Sequence, residues 1–389
     1  MKKLFSRTQR PLAWAQLSHQ KVRTGVAMGG IAFANVLIFM QLGFVNLFAG
    51  GAILLPKHLQ GDLFLINPDS KFINATTFDR TKLYQAAAFD GIISAEPLYI
   101  NIGTWAFDKK TTSRSTRMFA YNPQFPAFDL PELNQQQAKL GEPFVVLFDR
   151  ASRAELGPIP ATMAAHPHAT ATATFNGRKL TVKGLYTLGS SFFLSQGNIV
   201  ASKLTYAEIF GSASLNQVAL GIIRVKPGTD LIALQRGIEQ AVPGIEVLTR
   251  QGLQAKELKF QDENPSSTIF NFGAMMGFIV GVAIVYQVLY SDVSDHLAEY
   301  ATLKAIGYSS RSLLLVIFQE ALFLAILGYI PGFIASIGMY QLLTNLTRLE
   351  LVMTLNLAVT VFILTLAMCL ISAAIASNKL RAADPADVF

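Results

Sequence analysis

Cysteine is nearly missing from this 389-residue chain, where Cys369 stands alone. One thiol makes no intrachain disulfide and no cysteine-based zinc site. Charge is scarce as well. Charged residues make up 15% of the chain and hydrophobic ones 51%, against about 25% charged in an ordinary soluble domain. That balance excludes a wholly soluble enzyme and a wholly disordered chain alike. No Gly-Lys dipeptide occurs, so the chain holds no Walker-type phosphate loop. Neither G-x-S-x-G nor H-E-x-x-H is present, and no other catalytic set takes their place. His166 and His168 form an H-P-H pair that reads as loop rather than metal site. His19, His58 and His296 have no evident partner.

What is present is four long apolar runs. Thr24–Pro56 carries no charged residue, nor does Thr268–Tyr290; Ser312–Gln341 is interrupted only by Glu320, and Leu351–Asn378 is uncharged. Each exceeds the roughly 20 residues with which a helix crosses a bilayer. The first is far longer than the core of a signal peptide and reads as a retained anchor, its outer end projecting beyond the lipid. The basic residues orient the set. Lys2, Lys3, Arg7, Arg10, Lys21 and Arg23 precede the first run with no acid among them; Lys304 and Arg311 follow the second, and Lys379 and Arg381 follow the fourth. Both termini and the 291–311 segment are therefore expected on the cytoplasmic side.

The expected fold is thus a membrane protein of four transmembrane α-helices, with a large α+β periplasmic domain between helices 1 and 2. Its expected parts are a cytoplasmic segment 1–23, helix 24–52, the periplasmic domain 53–267, helix 268–290, and a cytoplasmic segment 291–311. Helix 312–340, a short periplasmic loop 341–352, helix 353–376 and a cytoplasmic tail 377–389 complete it. The net charge of +7 lies largely in the topogenic segments, so it does not indicate nucleic-acid binding. Within the outer domain, Asp62–Asn67, Phe144–Phe148, Leu180–Leu185, Val218–Val225 and Ile245–Leu248 read as strands. A turn at Pro227–Gly228 and a helix over 230–241 make Gln217–Thr249 a β-α-β unit. The Ala/Thr/His/Pro-rich stretch Ala161–Thr174 reads as a mobile loop.

Within the membrane segments, Gly273, Gly277 and Gly281 form a G-x-x-x-G-x-x-x-G series, and Gly328 and Gly332 form a second pair. Such spacing lets helix backbones approach closely, either within the chain or at a dimer seam. Asn35, Gln41 and Asn46 read as polar packing groups. Glu320, roughly 12 Å into the third helix at 1.5 Å per residue, reads either as a buried polar contact that transmits motion or as a carboxyl near the interface. The 291–311 segment contains a short amphipathic helix that ends at Gly307. Such an element presents side chains to a soluble partner.

At this segment a family resemblance becomes specific. Glu299-Tyr-Ala-Thr-Leu-Lys-Ala-Ile-Gly307 is similar to the coupling signature of the MacB/FtsX/LolC superfamily of ABC-transporter permeases. Gln319–Gly332 resembles that family's third-helix motif, with its acidic residue and paired glycines. The segments 89–99, 198–206, 221–230 and 384–389 most resemble DevC-type permeases. The resemblance implies that Glu299, Tyr300, Leu303, Lys304, Ala305 and Gly307 dock on a separate ABC ATPase subunit. That partner would hold ATP and Mg, while this chain binds no cofactor and is not itself an enzyme. It further implies a homodimer in the bacterial inner membrane that drives a membrane-fusion adaptor and, indirectly, a TolC-like outer-membrane channel, with glycolipid or other hydrophobic cargo. A LolC/LolE-like lipoprotein-releasing permease and an ATPase-independent membrane-anchored sensor are the alternatives.

Overall fold

The computed structural model describes residues 21–108, 113–165, 169–189, 196–299, 302, 306, 309–347 and 351–382. Its elements in chain order begin with helix α1 (Lys21–His58), strands β1 (Leu63–Ile66) and β2 (Phe78–Asp79), and helix α2 (Arg80–Ala87). Strands β3 (Ile92–Ala106) and β4 (Arg114–Tyr121), helix α3 (Pro131–Asn134), strand β5 (Val145–Asp149) and helix α4 (Ile159–Ala165) follow. Next come β6 (Ala171–Phe175), β7 (Arg178–Tyr186), β8 (Asn198–Ser202), α5 (Lys203–Phe210), β9 (Gln217–Val218) and β10 (Leu220–Val225). Helix α6 (Leu231–Ala241), strand β11 (Glu246–Thr249) and helices α7 (Arg250–Asp262), α8 (Pro265–Asp295), α9 (Ser310–Thr347) and α10 (Leu355–Ala382) close the series.

Two units emerge. One holds the chain through Leu47 with Pro265–Leu346 and Glu350–Phe389; the other holds Phe48–Asn264 with Thr347–Leu349. The first is helical. Among the described residues, four helices are long and apolar enough to cross a membrane: Val22–His58, Pro265–Asp295, Leu314–Leu346 and Leu355–Asn378. The α+β domain lies in sequence between the first and second of them, as expected. The helices exceed their expected bounds. Thr347 still belongs to α9, which shortens the connection expected at 341–352, and α10 continues into the expected tail as far as Ala382.

Among the described residues, the second unit holds a nine-stranded sheet in the order β11-β1-β10-β3-β4-β8-β5-β7-β6, with β6 also paired to β3, and a two-stranded sheet of β2 and β9. The six strands from β3 to β6 therefore close on themselves, which removes their open edges. β3 joins the two parts: its first half pairs with β10 and its second, from Tyr99, with β4. β10, α6 and β11 form the expected β-α-β unit, with β1 antiparallel to both strands and lying between them. Asp230 caps α6 by accepting from the backbone N–H groups of Ile232 and Ala233.

Strand alternation makes two cores. Leu63, Leu65, Tyr99, Met118, Ala120 and Phe148 face one side, against Leu83, Tyr206 and Ile238 of α2, α5 and α6. Phe64, Ile66, Ile100, Phe119, Tyr121 and Leu147 face the other, against Leu55 and Leu59 of the α1 end, Leu133 of α3 and Leu253 of α7. Ala161–Thr174 is not a loop throughout. Residues 161–165 lie in α4, and 171–174 lie in β6, paired with β7. The alternation Ala-Thr-Ala-Thr is a period-two pattern whose alanines are buried and whose threonines are exposed, and β-branched threonine suits a pleated strand. His166 and His168 lie outside the described residues.

Candidate functional site

The candidate residues lie along the path of α1, one cluster within each unit. α1 runs unbroken for 38 residues, about 57 Å at 1.5 Å per residue, whereas the hydrocarbon core of a bilayer is about 30 Å thick. Near its start, the Arg23 guanidinium donates through Nη1 to Asp295 Oδ2 at 2.8 Å and lies 3.6 Å from Asp292 Oδ1. Its Nη2 donates to the Val288 carbonyl at 3.4 Å. All three partners belong to the last turns of α8. His296 Nδ1 stands 3.5 Å from Asp292 Oδ1. The Asp292 and Glu320 carboxyls adjoin one another, and both residues are buried. A carboxylate at a helix C-terminus and a cation at a helix N-terminus are each disfavoured by the helix dipole. Arg23 beside Asp292 and Asp295 offsets both, and fastens α1 to α8. Glu320 brings α9 to the same point.

At its other end, α1 is held by Arg250, the first residue of α7. Arg250 Nη1 donates to the carbonyls of Leu59 at 2.6 Å, Pro56 at 3.1 Å and Lys57 at 3.2 Å, and Nη2 donates to Gly61 O at 3.1 Å. The last carbonyls of a helix have no partner of their own, and this planar fork supplies one. The guanidinium also lies 5.8 Å from the centre of the Phe64 ring.

Between these ends, glycines set the closeness of the helices. A Cβ on Gly277 of α8 would stand 3.2 Å from Ile38 and 3.4 Å from Leu37; one on Gly273 would meet Gln41, and one on Gly281 would meet Met368 and Ala34. On α9, a Cβ on Gly328 would stand 2.6 Å from Ile31, and one on Gly332 would stand 2.9 Å from Asn35 and 3.1 Å from the Ala32 backbone. All five glycines therefore face α1 of the same chain. Asn35 Oδ1 accepts from Thr365 Oγ1 of α10 at 2.7 Å, and the Tyr340 hydroxyl donates to the Phe39 carbonyl. Asn46 is exposed.

Of the residues expected to dock on an ATPase, Glu299 is exposed and follows α8 within a helical stretch, 297–299, after a turn at 296. Tyr300, Leu303, Lys304, Ala305 and Gly307 lie outside the described residues. Among the described residues, no group of three His, Cys, Asp or Glu side chains is placed to hold a metal ion. Sequence reasoning singled out Glu320 but missed its partners, because Arg23 was counted among topogenic charges and Asp292 among loop residues. An acid in the last turn of a membrane helix, with His four residues on, was the available signal. Arg250 gave none: a basic residue opening a helix of an outer domain is ordinary.

Comparison with known proteins bears on the helical part of this path. Residues 271–385 match the family model for the FtsX-like permease C-terminal region. The FtsX-like match covers α8 from residue 271 onward, the segment between α8 and α9, and all of α9 and α10. No curated protein matches the chain. Among solved structures, the periplasmic region of MacB from Actinobacillus actinomycetemcomitans is similar at 12% identity and a TM-score of 0.35, covering 51% of this chain and 92% of that one. The extracellular domain of the noncanonic ABC-type transporter YknZ from Gram-positive bacteria is similar at 11% identity and a TM-score of 0.34, covering 49% of this chain and 99% of that one.

Proposed function

We propose that this chain is the membrane-spanning subunit of an ABC transporter, and that it relays movement from a separate ATPase on the cytoplasmic face to the α+β domain outside. The observation that carries this reading is α1: one continuous helix, fixed near its start by Arg23 to the end of α8 and gripped at its last turn by Arg250. The coupling segment begins directly after α8, so displacement of Glu299–Gly307 by an ATPase would act on Asp292 and Asp295, and through Arg23 on α1. The FtsX-like match over 271–385 supports the same assignment.

On this reading the chain hydrolyses nothing itself; ATP and Mg belong to the partner. Two copies pair with two ATPase subunits. The outer domain works a periplasmic adaptor and, through it, an outer-membrane channel, in the manner of a DevC-type exporter of hydrophobic cargo. Co-purification in mild detergent tests the coupling site. A charge reversal, Glu299→Lys, or Gly307→Pro in the coupling segment should reduce ATPase recovery at least tenfold while membrane insertion stays normal. Unchanged recovery places the docking site elsewhere. ATP hydrolysis by the purified chain with no second subunit contradicts the reading as a whole.

A further inference from the structure

In the second unit, Arg117 is 92% buried, the complement of its 8% exposure, and its Nη2 has no hydrogen-bond partner. It projects from β4 on the same face as Phe119 and Tyr121, and its guanidinium lies 5.7 Å from the centre of the Phe119 ring. The space in front of it is a cavity of about 130 Å³, walled by Ala52 and Leu55 of α1, Ile73, Ile102 and Glu257. Ile102 stands at its mouth, 42% exposed. Burial lowers the Arg117 pKa to about 10, so the group is cationic at neutral pH. Glu257 on the same wall accepts from the Ile73 N–H through Oε1 at 2.5 Å; it favours the Arg117 charge electrostatically without hydrogen-bonding it. A buried guanidinium with an N–H that no protein group accepts is costly, and the group that best satisfies it is a carboxylate or phosphate oxygen pair. Apart from Asn74 and the Phe72 ring, the remaining wall is aliphatic. The same apolar helix that reads as membrane-spanning supplies three of the wall residues, Gly51, Ala52 and Leu55.

We propose that this cavity is a binding site for a single-chain anionic amphiphile, its carboxylate or phosphate head on Arg117 and its first methylenes against Leu55, Ile73 and Ile102. A volume of about 130 Å³ accommodates such a head and a few carbons. The tail continues past Ile102. The inference does not depend on an ATPase partner.

The test uses the full chain in phosphatidylcholine nanodiscs, with decanoate and decyl phosphate as probes, decanol and inorganic phosphate as controls, and empty nanodiscs as background in calorimetric titration. Both amphiphilic anions should bind. Decanol should fail for want of a charge, and inorganic phosphate for want of a chain. Arg117→Met should weaken binding by about 10- to 100-fold, the range for one charge-assisted hydrogen bond. Because Arg117→Met removes a buried side chain, Ile102→Trp at the exposed mouth supplies the second variant: it should abolish binding with Arg117 intact and the thermal midpoint unchanged. Glu257→Gln, which keeps an acceptor for Ile73 and removes a competing carboxylate, should leave binding equal or a few-fold tighter. Binding of inorganic phosphate as strong as that of decyl phosphate overturns the amphiphile assignment in favour of a free-anion site. Binding of neither amphiphilic anion, or binding indifferent to both Arg117→Met and Ile102→Trp, leaves the cavity a hydrated structural pocket and overturns the proposal.

Discussion

At the end of α8, Asp292 and Asp295 sit where a helix dipole disfavours anions, and Arg23 is the cation that offsets them. The Arg23 side chain is 22% exposed and that of Asp292 5%, whereas that of Asp295 is 62% exposed. The inner contact therefore matters more than the shorter outer one, since exposed pairs contribute about 0.2–1 kcal/mol. Removing one partner of a buried pair costs about 3–5 kcal/mol, and the partial exposure of Arg23 brings the expected cost of Arg23→Met to about 2–3 kcal/mol. Thermal unfolding of the full chain in detergent should show the loss. Arg23→Met in an Asp292→Asn background should then cost less than the two changes separately; strict additivity would show that the contact is idle. A second residue-scale prediction concerns Glu257. Burial raises its pKa from 4.5 to about 7, against the lowering effects of its Ile73 hydrogen bond, Arg117 and Lys256. The folded chain thus holds this proton more tightly than the unfolded one. Its contribution is present in full below about pH 4.5 and is lost as pH rises through 7, on the order of 3 kcal/mol. Glu257→Gln should flatten the fall in thermal midpoint between pH 5 and 8; a fall of the same size in the variant assigns it to other groups.

Among the elements, α8 and α9 meet α1 through glycine, and the contacts distinguish one glycine from another. Gly328 leaves no room for a Cβ beside Ile31, while Gly338 on the same helix has nothing within 4 Å. Gly328→Val should overpack this seam at a cost of about 1–3 kcal/mol. Gly338→Ala should be neutral or stabilising by up to about 1 kcal/mol, the helix-propensity difference. Equal effects at both positions, measured by thermal unfolding, would mean that α1 is not packed through Gly328. The spacing of these glycines was legible in the sequence because small residues four apart share a helix face. Which helix they meet was not, since spacing fixes a face and not its partner. The strands divide in the same way. β5 and β10 are mostly apolar runs and β7 alternates buried and more exposed residues, patterns that could be read. β3 could not: Glu96, Pro97, Asn101 and Gly103 interrupt its pattern, and its hydrogen-bond partner changes from β10 to β4 midway. Arg117 lies on the apolar side of β4, and only the pairing of β4 with β3 and β8 shows that its charge points inward.

At the scale of the whole molecule, composition sufficed for the architecture. Four charge-poor runs and one ordinary stretch of about 210 residues could hardly make anything but helices and an inserted domain, because apolar length alone decides what a bilayer accepts. The clamps at the two ends of α1 depend on residues more than 190 positions apart in sequence, and no local pattern carries such a pairing. A rod held at both ends relays movement only if those ends work on opposite sides of the membrane. Impermeant maleimide labelling of intact cells measures this directly, in a Cys369→Ser background with one new thiol at a time: Lys179→Cys in the exposed β6–β7 hairpin, or Ala298→Cys just after α8. The account predicts that position 179 reacts in cells whose cytoplasmic membrane is intact and that position 298 reacts only after it is opened. Reaction of both from the same side would contradict it.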